Sequence, residues 1–434
     1  MTRVLHEPSR ALPLVNLVVA FGTGAFFDPP GQEGLSRFTG RMLRRGTRAR
    51  SARELEAALD RLGGELSVEV SATTTTLHAQ VIRRNLGPFV DLVAEVLGSP
   101  AFAPDEVERL RKKVLAELVE ARDNDRHLAQ VAFRAAMFEG HPFGRTAQGR
   151  ARTLASLTPE SLEAHYARHY LRETATFGFA GDLSGQEAAA IAERLSAALP
   201  SGAPPSFDAL QDPPGPRGRR LVIVDKPERT QTQILIGALG TSGHDPDHVP
   251  LLVATAIFGG TFTSRLMREV RSKRGWSYGA SARLSVERVR HALAVWTFPA
   301  ATDAAKCVAL ELDLFERFVE LGVTPRETSF VRNYLVRSHA FEIDTPTKRL
   351  HQALDTHTLA LPADYHTSYL ERVRATTAEA ASAAARARLS TRDLAIVVVG
   401  TASAIEGELR AALPGLDEVR VVPFDADADA DQHG

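Results

Sequence analysis

The spacing of apolar and polar positions divides the chain into two stretches that repeat one order of elements. In the first, Leu12 to Ala20 is a near-continuous apolar run and predicts a strand. Helices are expected over Glu33–Arg45 and Ser51–Leu62. Ser51 with Glu54 three residues on is a capping-box pattern, and Gly63-Gly64 supplies the stop. Two runs rich in Val and Thr, Glu65–Ala72 and Thr74–Ile82, predict strands. A helix over Leu86–Leu97 follows, then a long one from Pro104 to Arg122. A short strand, Thr2–Glu7, is expected at the start.

The second stretch repeats this order. It predicts a strand at Gln233–Ala238, helices near Pro250–Phe258 and over Ser264–Lys273, and strands at Tyr278–Ser285 and His291–Phe298. A helix over Asp303–Leu321 and a long helix over Arg326–Glu342 come next. Ala103-Pro104-Asp105-Glu106 opens one long helix and Thr324-Pro325-Arg326-Glu327 the other. Each stretch closes with a further helix and a strand, Thr176–Ala180 and Asp393–Val399. Such internal repetition is the mark of a duplicated unit. The expected fold is α+β in two homologous halves, 1–203 and 219–423. Each half should be a mostly antiparallel sheet with helices stacked on one face. Pro204-Pro205 and Pro213-Pro214-Gly215-Pro216 mark 204–218 as an extended linker. The acidic end, 424–434, is expected to be a disordered tail.

Composition narrows the function. The 434 residues are 44% hydrophobic and 24% charged, with a net charge of −1. That is a globular composition, and its spread-out basic residues argue against nucleic acid as a partner. Cys307 is the single cysteine, so neither a disulfide framework nor a cysteine zinc site can form. The first residues lack the pattern of a signal peptide, and no apolar run suits a membrane helix. A cytoplasmic protein with no membrane partner is expected.

The segment Gly34-Leu35-Ser36-Arg37-Phe38-Thr39-Gly40-Arg41-Met42-Leu43-Arg44-Arg45-Gly46-Thr47 carries the chemistry that matters most. It resembles the zinc-binding helix of the pitrilysin/mitochondrial-processing-peptidase family, the inverted-zincin metallopeptidases. There, His-x-x-Glu-His supplies two zinc ligands and a general base. Leu35, Phe38, Met42, Leu43 and the closing Gly46-Thr47 match the apolar frame. The chemical groups do not match: Arg37 and Arg41 stand at the ligand positions and Gly40 at the base position. A guanidinium has no lone pair to give a metal, and glycine moves no proton. The resemblance gives a further Glu as third ligand, and Glu117 fits by its place in the long helix. One carboxylate does not hold catalytic zinc, so Glu117 is expected to pair with Arg37 or Arg41 instead. No metal site is expected in this chain.

Two histidine pairs lie elsewhere. His165 and His169 stand four apart on an expected helix, and His244-Asp245-Pro246-Asp247-His248 lies in a turn. The first reads as ordinary core or surface histidines, the second as a solvated loop. His141-Pro142-Phe143-Gly144 and Leu157-Thr158-Pro159-Glu160 also resemble family turns.

Gly259-Gly260-Thr261-Phe262-Thr263-Ser264-Arg265-Leu266, followed by Glu269 through Tyr278, resembles the family's second-half signature. In that signature an Arg and a Tyr seven apart bind substrate and polarise the scissile carbonyl opposite the zinc. Arg271 and Tyr278 have this spacing. A guanidinium and a phenol are suited to stabilising a developing oxyanion. The alternative is structural, with Arg271 at a helix end and Tyr278 opening a half-buried strand. The resemblance thus implies a non-catalytic subunit that binds peptide and contributes Arg271 and Tyr278 to the zinc site of a homologous, zinc-bearing partner. A scaffold subunit of a larger complex and a stand-alone peptide binder remain as alternatives.

Overall fold

The structure is a computed structural model and describes residues 2–426. The expected acidic tail lies, from residue 427 onward, outside the described residues. Along the chain the elements are β1 (Arg3–Pro8), β2 (Leu14–Phe21), α1 (Leu35–Met42), α2 (Ala52–Leu62), β3 (Glu65–Val70), β4 (Thr75–Ile82), α3 (Leu86–Gly98) and α4 (Pro104–Ala121). They continue with α5 (Asp125–Met137), α6 (Ala151–Ala155), α7 (Pro159–His169), β5 (Ala175–Gly181) and α8 (Gly185–Ala198). After the proline-rich stretch come β6 (Arg219–Asp225), β7 (Gln233–Leu239), α9 (His248–Thr255), β8 (Ala280–Leu284), β9 (Ala292–Thr297), α10 (Ala304–Leu321) and α11 (Pro325–Glu342). The last are α12 (Pro346–Thr358), α13 (Tyr369–Ala375), α14 (Ala378–Arg388), β10 (Leu394–Gly400), α15 (Ala402–Ala412) and β11 (Glu418–Pro423).

The elements form two sheets. One runs β1-β5-β2-β4-β3 and the other β11-β6-β10-β7-β9-β8. Apart from β11, the second order repeats the first strand for strand. In each, the pairs nearest the start are parallel (β1 with β5, β6 with β10), as is β11 with β6, and the rest are antiparallel. The fold is α+β, with both sheets mostly antiparallel, as the repeat predicts.

Local signals explain the element ends. Ser51 accepts from the Glu54 amide at 3.3 Å, and the Glu54 carboxylate accepts from the Ser51 amide at 2.8 Å. That closes the capping box and satisfies two orphan donors of α2. Thr324 and Glu327 do the same at the start of α11, at 3.2 and 2.9 Å.

The chain separates into two compact units that do not follow its linear order. Unit 1 holds 1–118, 146–209 and 340–366; unit 2 holds 119–145, 210–339 and 367–434. Unit 1 therefore contains α12 from the second stretch, and unit 2 contains α5 from the first. In unit 1, Val15, Leu17, Val19 and Phe21 of β2 face the main core beside α1, α3 and α8. Val18 and Ala20 face the other way, onto Leu350 and Leu354 of α12. Period-two alternation thus buries β2 on both faces. In unit 2, α5 covers the equivalent face of the second sheet, where Phe133 packs on Gly237 of β7. A Cβ at Gly237 would lie 2.4 Å from the Phe133 ring, and one at Gly178 of β5 would lie 2.9 Å from Leu350. Each added helix is also pinned by charge. Lys226 donates to Asp125 at 2.7 Å, and Arg349 to Glu7 at 2.9 Å.

Candidate functional site

The segment that should bind zinc is α1 of unit 1, and its start is fixed by a residue the sequence did not single out. Gly34 adopts φ 99°, and the Asp28 carboxylate accepts from the amides of Gly34 and Ser36 at 2.9 and 2.8 Å. Ser36 Oγ donates to the same carboxylate at 2.5 Å and lies 3.2 Å from His165 Nε2. Burial pushes the Asp28 carboxyl up to about 6, although each of these hydrogen bonds opposes the rise. Asp28 was missed because it lies outside the helix, beyond Pro29-Pro30-Gly31.

Held this way, α1 lies against β3. A Cβ at Gly40 would stand 3.0 Å from Val68 and 3.2 Å from Val70. The position a general base would occupy is now a close helix–strand contact. Arg37 and Arg41, one turn apart, line a cleft of about 720 Å³ together with Gly40, Arg44, Arg45 and Lys113. Arg41 donates twice to Glu117, at 2.5 and 2.8 Å. This forked pair holds the Glu117 carboxyl below the usual carboxylate range, the Arg41 hydrogen bond being the main cause. Of the two partners expected for Glu117, Arg41 makes the pair. Arg37 makes no ion pair among the described residues. Burial, and then the like charge of Arg41, lower its pKa.

These residues do not fit zinc. Two of the three ligand positions carry fixed cations, which repel a dication, and the remaining carboxylate is already bonded to one of them. Among the described residues, no group of three or more His, Cys, Asp or Glu side chains is placed to hold a metal elsewhere.

The other histidines have structural roles. His165 and His169 are buried with ring centres 4.3 Å apart, and His169 Nδ1 lies 3.1 Å from Thr23 Oγ1. Burial lowers His165 to about 3 and His169 to about 4, so both are neutral. In the second segment His248 is fully buried, its Nδ1 2.9 Å from Thr241 Oγ1. Asp245 and Asp247 both pair with Arg388, at 3.1 and 2.8 Å. That turn is an anchored corner, where a solvated loop was expected.

In unit 2, the predicted helix over Ser264–Lys273 is wound as π-helix from Met267 to Ser272. A second π-helical turn spans Ala256–Gly260, where a Cβ at Gly259 would lie 2.4 Å from the Ala282 amide nitrogen. Such turns widen the helix locally and re-aim its side chains. Arg271 leaves the first of them with its guanidinium carbon 4.5 Å from the centre of the Tyr278 ring and 4.7 Å from that of Phe262. The strand expected from Tyr278 begins only at Ala280, so Tyr278 lies in the preceding loop. Tyr278 is 78% and Phe262 73% exposed. Neither ring is core, and the guanidinium between them is held by cation–π contact. Phe262 had no sequence signal beyond its place in the glycine-led loop. The neighbouring cations are occupied: Lys273 and Arg274 with Glu269, and Arg265 through a forked pair with Glu327 at 2.8 and 2.7 Å. Trp276 packs, half-buried, against the core of unit 2.

Comparison with known proteins gives a consistent picture. Residues 3–150 match the profile described as insulinase (peptidase family M16), and residues 156–335 match that of the peptidase M16 inactive domain. An uncharacterized zinc protease of Rickettsia bellii is 25% identical over 269 residues, covering 62% of this chain and 63% of that protein. A non-peptidase homolog of Helicobacter pylori is 21% identical over 400 residues, 91% of each. The crystal structure of a peptidase M16 inactive domain from Pseudomonas fluorescens superposes with a TM-score of 0.85 at 25% identity, covering 92% of this chain and 95% of that one.

Proposed function

The chain belongs to the M16 peptidase family, as a member whose own zinc motif is lost, and from that premise we propose a divided active site. This protein is the non-catalytic, substrate-binding subunit of a two-chain zinc metallopeptidase acting on peptides or unfolded segments. Its partner is a homologous subunit that carries the zinc. The observation that carries this reading is the contrast between the two motifs. At α1, the ligand and base positions hold Arg37, Arg41 and Gly40, and Glu117 is tied up by Arg41. At the second motif, the half-buried Arg271 is held against the exposed ring of Tyr278. Such a pair of donors is suited to a substrate carbonyl, with the guanidinium and the phenol as the polarising groups. Loss of one motif with upkeep of the other fits a chain that supplies one part of a shared site.

The protein acts in the cytoplasm in this reading; among the described residues, no helix is long and apolar enough to cross a membrane. The test is co-purification with a zinc-bearing homologue and peptide cleavage by the pair. The lone chain should hold no stoichiometric zinc and cut nothing. In the complex, Arg271→Ala should lower turnover by about 10²–10³-fold, as for loss of an oxyanion donor. Metal-dependent cleavage by the lone chain would overturn the proposal.

A further inference from the structure

The cleft over α1 is lined by five cations, Arg37, Arg41, Arg44, Arg45 and Lys113. We propose that it is an anion pocket, which takes the carboxylate side chain of an acidic peptide segment. This names the substrate class of the peptide-binding subunit proposed above and rests on that reading.

Three of the five cations are matched by carboxylates: Arg41 by Glu117, Arg44 by Glu56 at 2.8 Å, and Arg45 by Glu106 at 3.7 Å. Arg37 and Lys113 have no ion-pair partner among the described residues. Glu69 also borders the cleft; its carboxylate lies 3.9 Å from His78, whose pKa burial lowers, so the histidine does not cancel its charge. Five cations against four carboxylates leave one positive charge in excess around a volume of about 720 Å³.

Arg37 is the telling member. It is half-buried beside the like charge of Arg41, and it feels Glu117 through space without forming an ion pair with it among the described residues. A partly desolvated guanidinium in that position gains most from an incoming carboxylate, whose fork it matches. Lys113, one turn before Glu117 on α4, adds a point charge. Val68, Val70 and Leu110 give the same cleft an apolar lining. The ligand that fits all three features is an acidic side chain flanked by an apolar one.

The test uses the full chain and a fluorescein-labelled peptide with a central Glu-Glu, next to its Gln-Gln counterpart. Binding is read by anisotropy at low salt, with inorganic phosphate as a competitor. The Glu peptide should bind at least about tenfold tighter, phosphate should displace it, and salt should weaken it. In the double variant R37Q/K113Q the two peptides should bind alike. Neither residue makes an ion pair, so this variant should stay folded, which circular dichroism checks. Equal binding of the two peptides to the unaltered chain overturns the acidic preference while leaving peptide binding intact. A preference that survives R37Q/K113Q overturns the assignment to this cleft. Binding of neither peptide overturns both this inference and the peptide-binding reading.

Discussion

The guanidinium of Arg271 lies between two exposed rings, and the ring of Tyr278 is 4.5 Å from its central carbon. The contact orients the arginine through the ring face, and the phenolic hydroxyl makes no hydrogen bond among the described residues. Ring and hydroxyl therefore have separable tasks. Tyr278→Phe keeps the ring and removes the donor. Stability should change by less than about 0.5 kcal/mol, as for an exposed position. Turnover by the complex with a zinc-bearing partner should fall by about tenfold or more, if the hydroxyl meets the developing oxyanion. Equal turnover would reduce Tyr278 to a support for Arg271.

Glu117 and Arg41 form a forked pair that is partly open to solvent, with 22% and 41% of the Arg41 and Glu117 side chains exposed. Solvent screening limits its value to about 1 kcal/mol. Because Glu117 is held below its ordinary carboxylate value, its contribution is present above pH 4.5 and is lost as acid titrates it. Glu117→Gln should cost that amount at neutral pH and lose its effect in acid. Denaturant melts at pH 7 and pH 3 check this. An equal cost at both would show that shape, not charge, is lost.

Glu311 on α10 titrates in the opposite sense. It is 1% exposed, with the Cys307 sulfur 3.7 Å away, and burial pushes it up to about 8. The folded chain therefore holds a proton that the unfolded chain releases above pH 4.5. Stability contributed by this group is full below pH 4.5 and declines as pH rises to about 8. Glu311→Gln should be more stable than the parent at pH 8.5, with the gap closing at pH 5. Melting temperatures at the two values measure it, and parallel melting curves would refute it.

The helices α5 and α12 should matter to the units that hold them. Phe133→Ala and Leu350→Ala should each cost about 3 kcal/mol, since both side chains are buried against a sheet. Denaturant midpoints report the loss. A cost below about 1 kcal/mol would mean that the sheet face does not depend on the helix.

Much of the fold was legible because burial imposes a period. The strand pair β3–β4 and the long helices α4 and α11 were expected within a few residues of where they lie. Other features were not legible, for physical reasons. The strands β6 and β11 were missed although both carry apolar residues, Leu221 to Val224 in β6 and three valines in β11, where three of the six residues are exposed and none is buried. The π-helical turns depend on tertiary contacts such as the approach of Gly259 to Ala282. An amphipathic pattern shows that α5 and α12 have an apolar face but not which sheet that face covers. At the site, residue type alone disqualified Arg37, Gly40 and Arg41 as zinc machinery. The choice of Arg41 over Arg37 by Glu117 was open, because both lie on one helix face and only side-chain reach decides between them.

The placement of α12 has a consequence for synthesis. All five strands of unit 1 have been made once the ribosome passes Gly181. Yet Val18, Ala20 and Ala180 stay uncovered until Leu350 and Leu354 have emerged from the exit tunnel. Through the intervening translation the nascent chain carries a finished sheet with one bare apolar face, the state in which chaperones capture clients and aggregates begin. A gene cut at the proline-rich stretch would leave that face of the first product bare until the second product supplied α12, so the two would have to be made together to mature.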